Sequence, residues 1–368
     1  MRTTGKLIVV IIAAIAAFPP SAWLATAEEE QSAETQETSE PSATEAPLFV
    51  IYENGKYGYI DAAGEVVIEP QFDEARPFSE GLAHVRIGDK WGYIDRTGEF
   101  VINPRFDWAW QFSEGLASVM TGDWETGKWG YIDRTGEFAI DPQFDSAWPF
   151  SEGLAHVMIG DSETGKWGYI DRTGQIVINA EFDFAECFSE GGARVMIRGR
   201  ETGEWGYIDK TGEYFVKPQF GGAWPFTEGL ASVAIGNWAT GKWGYIDRTG
   251  EFVIDPQFDS ALPFSEGLAG VNIGGWRTGR WGYVDRTGEY VINLQFDSAW
   301  SFSEGLAMVW IGDSETGKWG YIDRMGHYVI DPQFDFAAPF SEGLARVSIG
   351  DKWGYIDRTG RFVWGPAD

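Results

Sequence analysis

A Trp-Gly pair recurs at nearly fixed spacing along most of the chain, and this recurrence limits the possible folds more than any other feature. It begins with the variant Tyr57-Gly58 and returns in steps of 34, six times 38 and again 34 residues, at Trp91, Trp129, Trp167, Trp205, Trp243, Trp281, Trp319 and Trp353. A period of about 20–50 residues is typical of a solenoid, a propeller or a similar array. We therefore interpret these eight tryptophans as structural repeat residues.

Each repeat has the pattern of three short antiparallel strands. In one first strand, Ala155, Val157 and Ile159 alternate with His156 and Met158, which is the period of a half-buried strand. The position of His156 holds Ser, Arg, Gly or Met in other copies, so we expect it to face solvent and the Ala and Val positions to face the core. The sequence Asp-Arg-Thr-Gly predicts a hairpin turn, and the Gly after each Trp indicates a bulge or the close approach of another backbone.

The Trp-Gly-Tyr-Ile-Asp pattern, together with the recurring Phe-Ser-Glu-Gly-Leu-Ala segment, resembles the bacterial WG (KWG) repeat family. The resemblance covers about residues 48–368 and rests on nine recurrences. It implies an all-β repeat region in bacterial, often exported or surface proteins, and it implies no defined catalytic residues.

The expected fold is therefore all-β, with nine three-stranded antiparallel meander units in residues 48–368. A short fourth strand around Gln143-Phe-Asp145 would make each unit resemble a propeller blade. However, the chain starts and ends in phase, at Leu48–Tyr52 and Arg361–Trp364, so no strand is visibly shared to seal a ring. Nine blades would also be unusual. We expect an open, curved, superhelical solenoid, with a closed propeller-like toroid as the alternative.

The N-terminal part of the chain has the features of an export signal. Residues 1–27 combine Arg2 and Lys6, an apolar core from Leu7 to Phe18 and a small-residue cleavage site at Ala25-Thr26-Ala27, which together predict a cleaved signal peptide. The alternative is a retained membrane anchor, but this core is 12 residues long, against roughly 20 for a membrane span. Residues 28–47 carry no aromatic or large aliphatic side chain and are expected to form a disordered acidic linker.

The net charge of −28 excludes several classes of partner. Removal of residues 1–27 deletes two cations and no acid, so the exported chain carries −28 − 2 = −30. A strongly acidic chain is unsuited to nucleic acid, which requires a cationic face, and to direct binding of anionic lipid. We expect no nucleic-acid partner, no membrane insertion after cleavage, and a monomer. The single cysteine, Cys187, occupies a connector position that is proline in five other copies, and we interpret it as a drifted structural residue.

Two variable positions are candidate ligand-binding sites. Units three to eight carry a longer loop between the first two strands, and insertions on one edge of a repeat array are often binding loops. Its leading residues include Trp124, Arg200, Trp238 and Trp276. The connector position provides Trp110, Trp148, Trp224 and Trp300. The alternatives are that each loop tryptophan folds back on its own hairpin and that the connector tryptophans pack between units.

The acids repeat in three ladders that begin at Asp61, Glu80 and Asp73. Calcium binding by stacked carboxylates is one interpretation, but a structural role in turns is favoured, and we expect no metal and no cofactor. The histidines His84, His156 and His327 occupy positions that hold other residues elsewhere, and no catalytic motif is present. An enzyme is therefore not expected.

The function that these features favour is a secreted or envelope-associated, non-enzymatic scaffold that mediates protein–protein interaction. Its expected location is the periplasm, the cell surface or the extracellular space. The alternative is a lectin-like module that binds cell-wall or extracellular glycan through the loop-tip tryptophans.

Overall fold

In the computed structural model, which describes residues 46–123, 125–160, 164–197, 203–313 and 315–365, nine small antiparallel sheets follow one another along the chain. We call them blades 1 to 9. Blade 1 has three strands, and the other eight have four strands in sequential order. The described residues therefore form an all-β repeat array, as the sequence predicts, but a fourth strand completes eight of its units.

The first four blades contain strands β1 to β15, with the following bounds: blade 1, β1 (Phe49–Glu53), β2 (Lys56–Ile60) and β3 (Val66–Phe72); blade 2, β4 (Glu74–Ala75), β5 (Ala83–Ile87), β6 (Lys90–Ile94) and β7 (Phe100–Phe106); blade 3, β8 (Trp108–Ser113), β9 (Leu116–Thr121), β10 (Lys128–Ile132) and β11 (Phe138–Phe144); blade 4, β12 (Ser146–Ala147), β13 (Ala155–Ile159), β14 (Lys166–Ile170) and β15 (Ile176–Phe182).

The other five blades contain strands β16 to β35 and one short helix: blade 5, β16 (Phe184–Ala185), β17 (Ala193–Ile197), β18 (Glu204–Ile208) and β19 (Tyr214–Phe220); blade 6, β20 (Gly222–Ala223), β21 (Ala231–Ile235), β22 (Lys242–Ile246) and β23 (Phe252–Phe258); blade 7, β24 (Ser260–Ala261), β25 (Ala269–Ile273), α1 (Gly275–Thr278), β26 (Arg280–Val284) and β27 (Tyr290–Phe296); blade 8, β28 (Ser298–Ala299), β29 (Ala307–Ile311), β30 (Lys318–Ile322) and β31 (Tyr328–Phe334); blade 9, β32 (Phe336–Ala337), β33 (Leu344–Ile349), β34 (Lys352–Asp357) and β35 (Phe362–Trp364).

The last strand of each blade, which we call the outer strand, is the most exposed one. The first strand of each four-stranded blade, which we call the short strand, comes from the connector and spans two residues in all but blade 3. The sequence places this fourth strand at residues 143–145, whereas the structure places it at Ser146–Ala147, because Gln143 and Phe144 still belong to the preceding outer strand.

The array closes on itself, and the expectation of an open solenoid is wrong. Apolar side chains fill a layer between each pair of neighbouring blades, and a ninth layer joins blade 9 to blade 1. In this layer Ile51 and Ile60 pack with Leu344 and Tyr355. The Tyr355 hydroxyl also donates to the Val50 carbonyl at 2.8 Å. The ring closes without a strand shared between its two ends, because the burial of apolar side chains joins blade 9 to blade 1. The fold is therefore a nine-bladed β-propeller.

The glycine after each tryptophan allows the close approach that the sequence predicts. A Cβ atom on Gly130 would lie 2.6 Å from the Ile140 carbonyl oxygen and 2.7 Å from the Pro142 nitrogen. The strand pairing changes register here, with Trp129 opposite Phe144 and Tyr131 opposite Ile140. The bulge brings the outer-strand backbone close to Gly130, and only glycine leaves room for it.

The expected solvent exposure of the His156 position is wrong. His84 and His156 are 6% and 5% exposed, and Ser118 and Ser232 are fully buried. Each sheet has a neighbouring blade on both faces, so both faces of its second strand are buried. Tolerance of different residue types at this position reflects different buried neighbours: Arg194 pairs with Glu186, whereas His156 stacks on Trp148 at 5.5 Å.

Candidate interaction surfaces

The long loops place one described tryptophan side chain in solvent. Trp238 is 63% exposed and lies in a turn after β21. Trp276 lies in helix α1, and its side chain is outside the described part of the structure, as are Trp124 and Arg200. Trp238 therefore carries the loop-tip hypothesis in the described residues, and it does not fold into an apolar layer.

The connector tryptophans lie half-buried at the seams between blades: Trp110, Trp148, Trp224 and Trp300. Trp110 and Trp148 belong to consecutive connectors and stack with ring centroids 5.0 Å apart and an interplanar angle of 25°. Trp224 receives the guanidinium of Arg194 at 5.5 Å from its ring centroid. These contacts favour packing between units as their role. The repeat tryptophans range from buried, as Trp91 is at 2% exposed, to exposed in the last blade, where Trp353 is 41% exposed.

The first acidic ladder shapes its own hairpin turns. The Asp133 carboxylate accepts the Thr135 hydroxyl at 2.6 Å, the Thr135 N–H at 2.8 Å and the Glu137 N–H at 3.2 Å. The Thr135 hydroxyl is the main cause that lowers the pKa of Asp133. Gly136 adopts a φ of 90° and completes the turn. The structure thus gives this ladder a turn role that needs no ion.

The ladder that begins at Asp73 ties neighbouring blades together. Asp259, in the connector from blade 6 to blade 7, accepts a bond from Lys242 of blade 6 at 2.6 Å and from the Gly274 N–H of blade 7 at 2.8 Å. Lys242 is the main cause that lowers the pKa of Asp259. Because these lysines are 38% to 51% exposed, water screens each ion pair and its contribution to stability is small.

The seam between blade 5 and blade 6 lacks both members of this lysine–aspartate ion pair. In blade 5, Glu204 stands at the lysine position, and the aspartate position of the following connector holds Gly221. A Cβ atom on Gly221 would lie 1.6 Å from the Gly236 carbonyl oxygen, and Gly221 forms a parallel bridge with Asn237 instead. Both charges of the pair are therefore replaced together, and backbone contact takes over at this seam.

The ladder that begins at Glu80 lies in turns that we call the Ser-Glu-Gly turns, residues 79–81, 113–115, 151–153, 189–191, 227–229 (with Thr at 227), 265–267, 303–305 and 341–343. Each glutamate has a φ between 51° and 54°. In the first seven turns the carboxylate accepts the glycine N–H of the next turn, as Glu114 does from Gly153 at 3.0 Å. In six turns the serine hydroxyl donates to the carbonyl of the next connector phenylalanine, as Ser113 does to Phe150 at 2.7 Å, whereas the buried Thr227 hydroxyl has no partner among the described residues. The turns thus form a chain of links from blade to blade.

The surface that sequence reasoning missed is a band of apolar side chains on the outer strands. In most blades the first two residues of the outer strand are adjacent apolar residues, and each of those named below is 37% to 47% exposed. We call them the outer-strand apolar surface: Val66, Val67, Phe100, Val101, Phe138, Ile176, Val177, Phe252, Val253, Tyr290, Val291, Tyr328 and Val329. The aromatic member packs edge-on against the previous blade, as Phe138 does on Phe106 at 6.2 Å. Blade 5 interrupts the band, because Phe215 packs under Arg248.

Acids border this surface on the hairpin-turn side in most blades, and on both sides in blades 1, 3 and 6. Exposed Glu137 precedes Phe138 in the hairpin turn, and exposed Asp141 follows two residues after Ala139. A pair of adjacent apolar residues predicts a strand that is buried on both faces. For this reason the sequence alone does not indicate that these outer-strand residues are exposed. The arrangement offers an apolar band with a partly anionic border.

The described residues show no membrane helix and no metal cluster. None of their helices is long and apolar enough to cross a membrane, and they contain no group of three or more His, Cys, Asp or Glu side chains that could hold a metal ion. Burial, followed by the neighbouring Glu186 carboxylate, raises the pKa of the Cys187 thiol to about 12, so the thiolate is scarce at neutral pH. The predicted signal peptide and most of the linker lie outside the described residues.

Comparison with known sequences identifies the repeat. The profile described as "WG containing repeat" matches residues 57–91, 91–123, 129–162, 167–200, 205–237, 243–275, 281–313 and 319–353. No curated protein matches the chain.

Three solved structures are similar to the chain at low identity. A structure from an analysis of two prolyl endopeptidases has 11% identity and a TM-score of 0.46, over 85% of this chain and 54% of that one. TolB from Acinetobacter baumannii has 11% identity and a TM-score of 0.31, over 69% and 77%. The tricorn protease has 10% identity and a TM-score of 0.27, over 86% and 39%. The chain thus spans about half the length of the prolyl endopeptidase structure.

Proposed function

Since the chain belongs to the family of proteins built from WG-containing repeats, we propose that it uses this array as an exported, envelope-associated and non-enzymatic scaffold that binds a protein partner through the outer-strand apolar surface. The observation that carries the proposal is the recurrence of adjacent exposed apolar residues on one strand of successive blades. Contiguous apolar surface on a soluble protein commonly marks an interaction site.

The partner that fits this surface has an apolar contact face with a cationic border. Apolar side chains in the centre of an interface supply affinity, and charges at the rim steer association. The net charge of −28 supports such steering. We therefore expect the association rate to fall with ionic strength and the dissociation rate to depend on the valines and aromatic residues.

A triple variant tests this proposal. Val101, Val177 and Val291 are 45%, 45% and 47% exposed, and replacement by threonine keeps the branched shape that suits a strand. The purified protein and the triple variant are incubated with envelope extract, cross-linked partners are identified, and each purified partner is titrated against both. We expect the variant to bind at least about tenfold more weakly, because burial of each apolar side chain contributes about 1 kcal/mol or more.

The matched control is Trp238→Ala, which removes an exposed aromatic residue from a loop outside the outer strands. A partner that binds all three proteins equally contradicts the assignment of the surface. If no protein partner binds the parent chain, the scaffold proposal is wrong.

The second candidate is a glycan-binding module, which the exposure of Trp238 supports. An exposed indole can stack on the apolar face of a sugar ring. The test is a pull-down with purified peptidoglycan and extracellular polysaccharide, comparing the parent with Trp238→Ala and with a Trp124/Trp238/Trp276→Ala variant. Glycan binding by the parent that a folded variant loses, with little response to salt, would favour this function. Absence of binding by the parent would eliminate it for these glycans.

A further inference from the structure

The outer-strand apolar surface does not run around the whole ring. In blades 1 to 4 and in blades 6 to 8, each outer strand begins with exposed apolar side chains. In blades 5 and 9 the apolar side chains at the start of the outer strand are only partly exposed: Tyr214, Phe215, Phe362 and Val363. The surface therefore has two separate parts, which we call arc 1 (blades 1 to 4) and arc 2 (blades 6 to 8).

The gap at blade 5 arises from two linked differences from the other copies. Gly192 stands where the other Ser-Glu-Gly segments continue with leucine, and Phe215 stands where most outer strands have valine. A Cβ atom on Gly192 would lie 2.9 Å from the Phe215 ring, so the phenylalanine takes the space of the missing side chain. Phe215 also packs on Phe226 at 5.8 Å and under the Arg248 guanidinium at 4.8 Å. The chain thus withdraws an outer-strand side chain from solvent here.

The gap at blade 9 arises from the closure of the ring. Val363 occupies the position that the exposed Val101 has in blade 2. It packs, together with Trp364 and Phe49, on the apolar layer between blade 9 and blade 1. A Cβ atom on Gly64, in the hairpin turn of blade 1, would lie 1.9 Å from the Val363 carbonyl oxygen. Closure therefore uses a side chain whose counterparts in the arcs face solvent.

The charges at two border positions also change at the gaps. Exposed Lys217 of blade 5 stands at the position of Asp141, and exposed Arg361 of blade 9 stands at the position of Glu137. At these two positions the sequence of the arcs has no lysine or arginine. Juxtaposed like charges disfavour binding. A partner with a cationic border is therefore favoured along the arcs and disfavoured at the two gaps.

The two arcs face in opposite directions. Nine blades spaced evenly around a closed ring are about 40° apart. The middle of arc 1 falls between blades 2 and 3, and the middle of arc 2 falls on blade 7, which is four and a half blades away. The two middles are therefore about 180° apart around the ring. A globular partner that is centred on one arc leaves the other arc accessible.

Each arc is large enough for a partner of its own. Arc 1 contributes seven and arc 2 six of the side chains that are 37% to 47% exposed. Together the side chains of one arc present on the order of 400 Å² of apolar surface, which is the size of patch that marks an interaction site. A standard interface buries about 800 Å² on each partner, with its apolar part in the centre. One arc thus suits the centre of one interface.

We propose that arc 1 and arc 2 are separate docking sites, and that the protein joins two partner molecules, one on each side of the ring. This inference rests on the proposed function, because both arcs belong to the outer-strand apolar surface. Each arc takes a protein with an apolar contact face and a cationic border. Most blades of both arcs have an aromatic or β-branched residue followed by valine, so the same partner fits both arcs.

Two triple variants with matched exposure test the inference. The arc 1 variant replaces three valines, each 45% exposed, by threonine: Val67, Val101 and Val177. The arc 2 variant replaces three valines that are 46%, 47% and 43% exposed: Val253, Val291 and Val329. The partner that cross-links to the parent chain in envelope extract is purified and titrated against each protein, and light scattering gives the mass of each saturated complex. We expect two partner molecules on the parent and one on each variant, with the altered site at least about tenfold weaker and the other site unchanged.

A bridging assay tests whether both sites act on one ring. Tagged and untagged partner are mixed with the parent, with either variant, or with an equimolar mixture of the two variants, and the tagged partner is captured. We expect the untagged partner to be captured with the parent alone. The mixture of variants offers both intact arcs, but on different molecules, so it is the matched control. Melting temperatures like that of the parent verify that both variants are folded.

The outcomes separate this inference from the proposed function. A single partner molecule on the saturated parent, with affinity lost in one or both variants, overturns the inference and leaves the scaffold proposal intact. More than two partner molecules on the parent, or bridging by the mixture of variants, also overturns the inference alone. If both variants bind the partner as the parent does, the outer-strand apolar surface is not the binding site, and both proposals are wrong. Both are also wrong if no protein binds the parent.

Discussion

The two buried histidines should make the propeller sensitive to mild acid. Burial lowers the pKa of His84 and of His156 to about 3, and the Nδ1 atom of each has no hydrogen-bond partner. The unfolded chain protonates its histidines at a pKa of about 6.5. Since the unfolded state binds more protons between these two values, stability is fully present above pH 6.5 and falls as the pH decreases towards 3.

The expected loss follows from the same two values. At pH 5 the unfolded histidine lies about 1.5 pH units below its pKa, which corresponds to about 2 kcal/mol for each residue. The two histidines together should cost about 4 kcal/mol of unfolding free energy between pH 7.5 and pH 5. Most carboxylates change their charge at lower pH, so this interval isolates the histidines.

Urea denaturation at pH 7.5, 6 and 5 measures this loss. The variant His84→Met/His156→Met uses the residue that the chain itself has at this position in blade 8, where Met308 is buried. We expect the parent to lose about 4 kcal/mol and the variant to lose little over the same interval. His327→Glu, at an exposed turn position, serves as a control and should behave like the parent. Equal pH dependence in the parent and the double methionine variant would refute the reasoning.

Four further predictions concern the backbone, the loops, the closure and metal ions. Gly130→Ala should lower the free energy of unfolding by about 3 kcal/mol, because its Cβ atom meets backbone at 2.6 Å. Gly153→Ala, with open space around its Cβ atom, should lower it by about 1 kcal/mol. Equal losses of stability in thermal denaturation would contradict the bulge argument. Trp238→Ala should change the unfolding free energy by less than about 0.5 kcal/mol, and a larger loss would show that this indole is packed. Tyr355→Phe should cost about 1 kcal/mol through the bond to the Val50 carbonyl, and an unchanged denaturation midpoint would argue against that bond. A chelator should leave the melting temperature unchanged, since the turn carboxylates already accept hydrogen bonds, and a decrease would indicate bound calcium.

The repeat pattern predicts local structure well because each short motif forms its own contacts. The Trp-Gly bulge and the Asp-Arg-Thr-Gly turn depend on residues within one unit, and both were predicted correctly. The closure of the ring was not predicted, because it depends on Phe49 and Trp364, which depart from the repeat and pack together only when the two ends meet. A period in the sequence carries no information on the angle between successive units.

Burial at the variable positions was mispredicted for a related reason. The His156 position holds Arg194 or Ser232 in other copies. This variation would indicate solvent exposure only if the surrounding residues were the same in every blade, and here they change with the residue. Arg194 has Glu186, and Ser232 donates to the Ala261 carbonyl at 3.2 Å. Conversely, adjacent apolar residues such as Phe100 and Val101 suggest a buried strand, although both are exposed. In a repeat protein, exposure follows from the position of the strand in the blade.

The closing contact between Tyr355 and Val50 has a consequence for the order of folding. These residues are 305 positions apart, whereas the links between consecutive Ser-Glu-Gly turns span 35 to 39 positions. Local contacts form quickly, and a long-range contact must overcome a larger loop-closure entropy. Blades should therefore assemble in succession, with the blade 9 to blade 1 layer forming last. A circular permutant that joins the present ends and opens another seam should keep the native propeller while moving this slow step to the new opening.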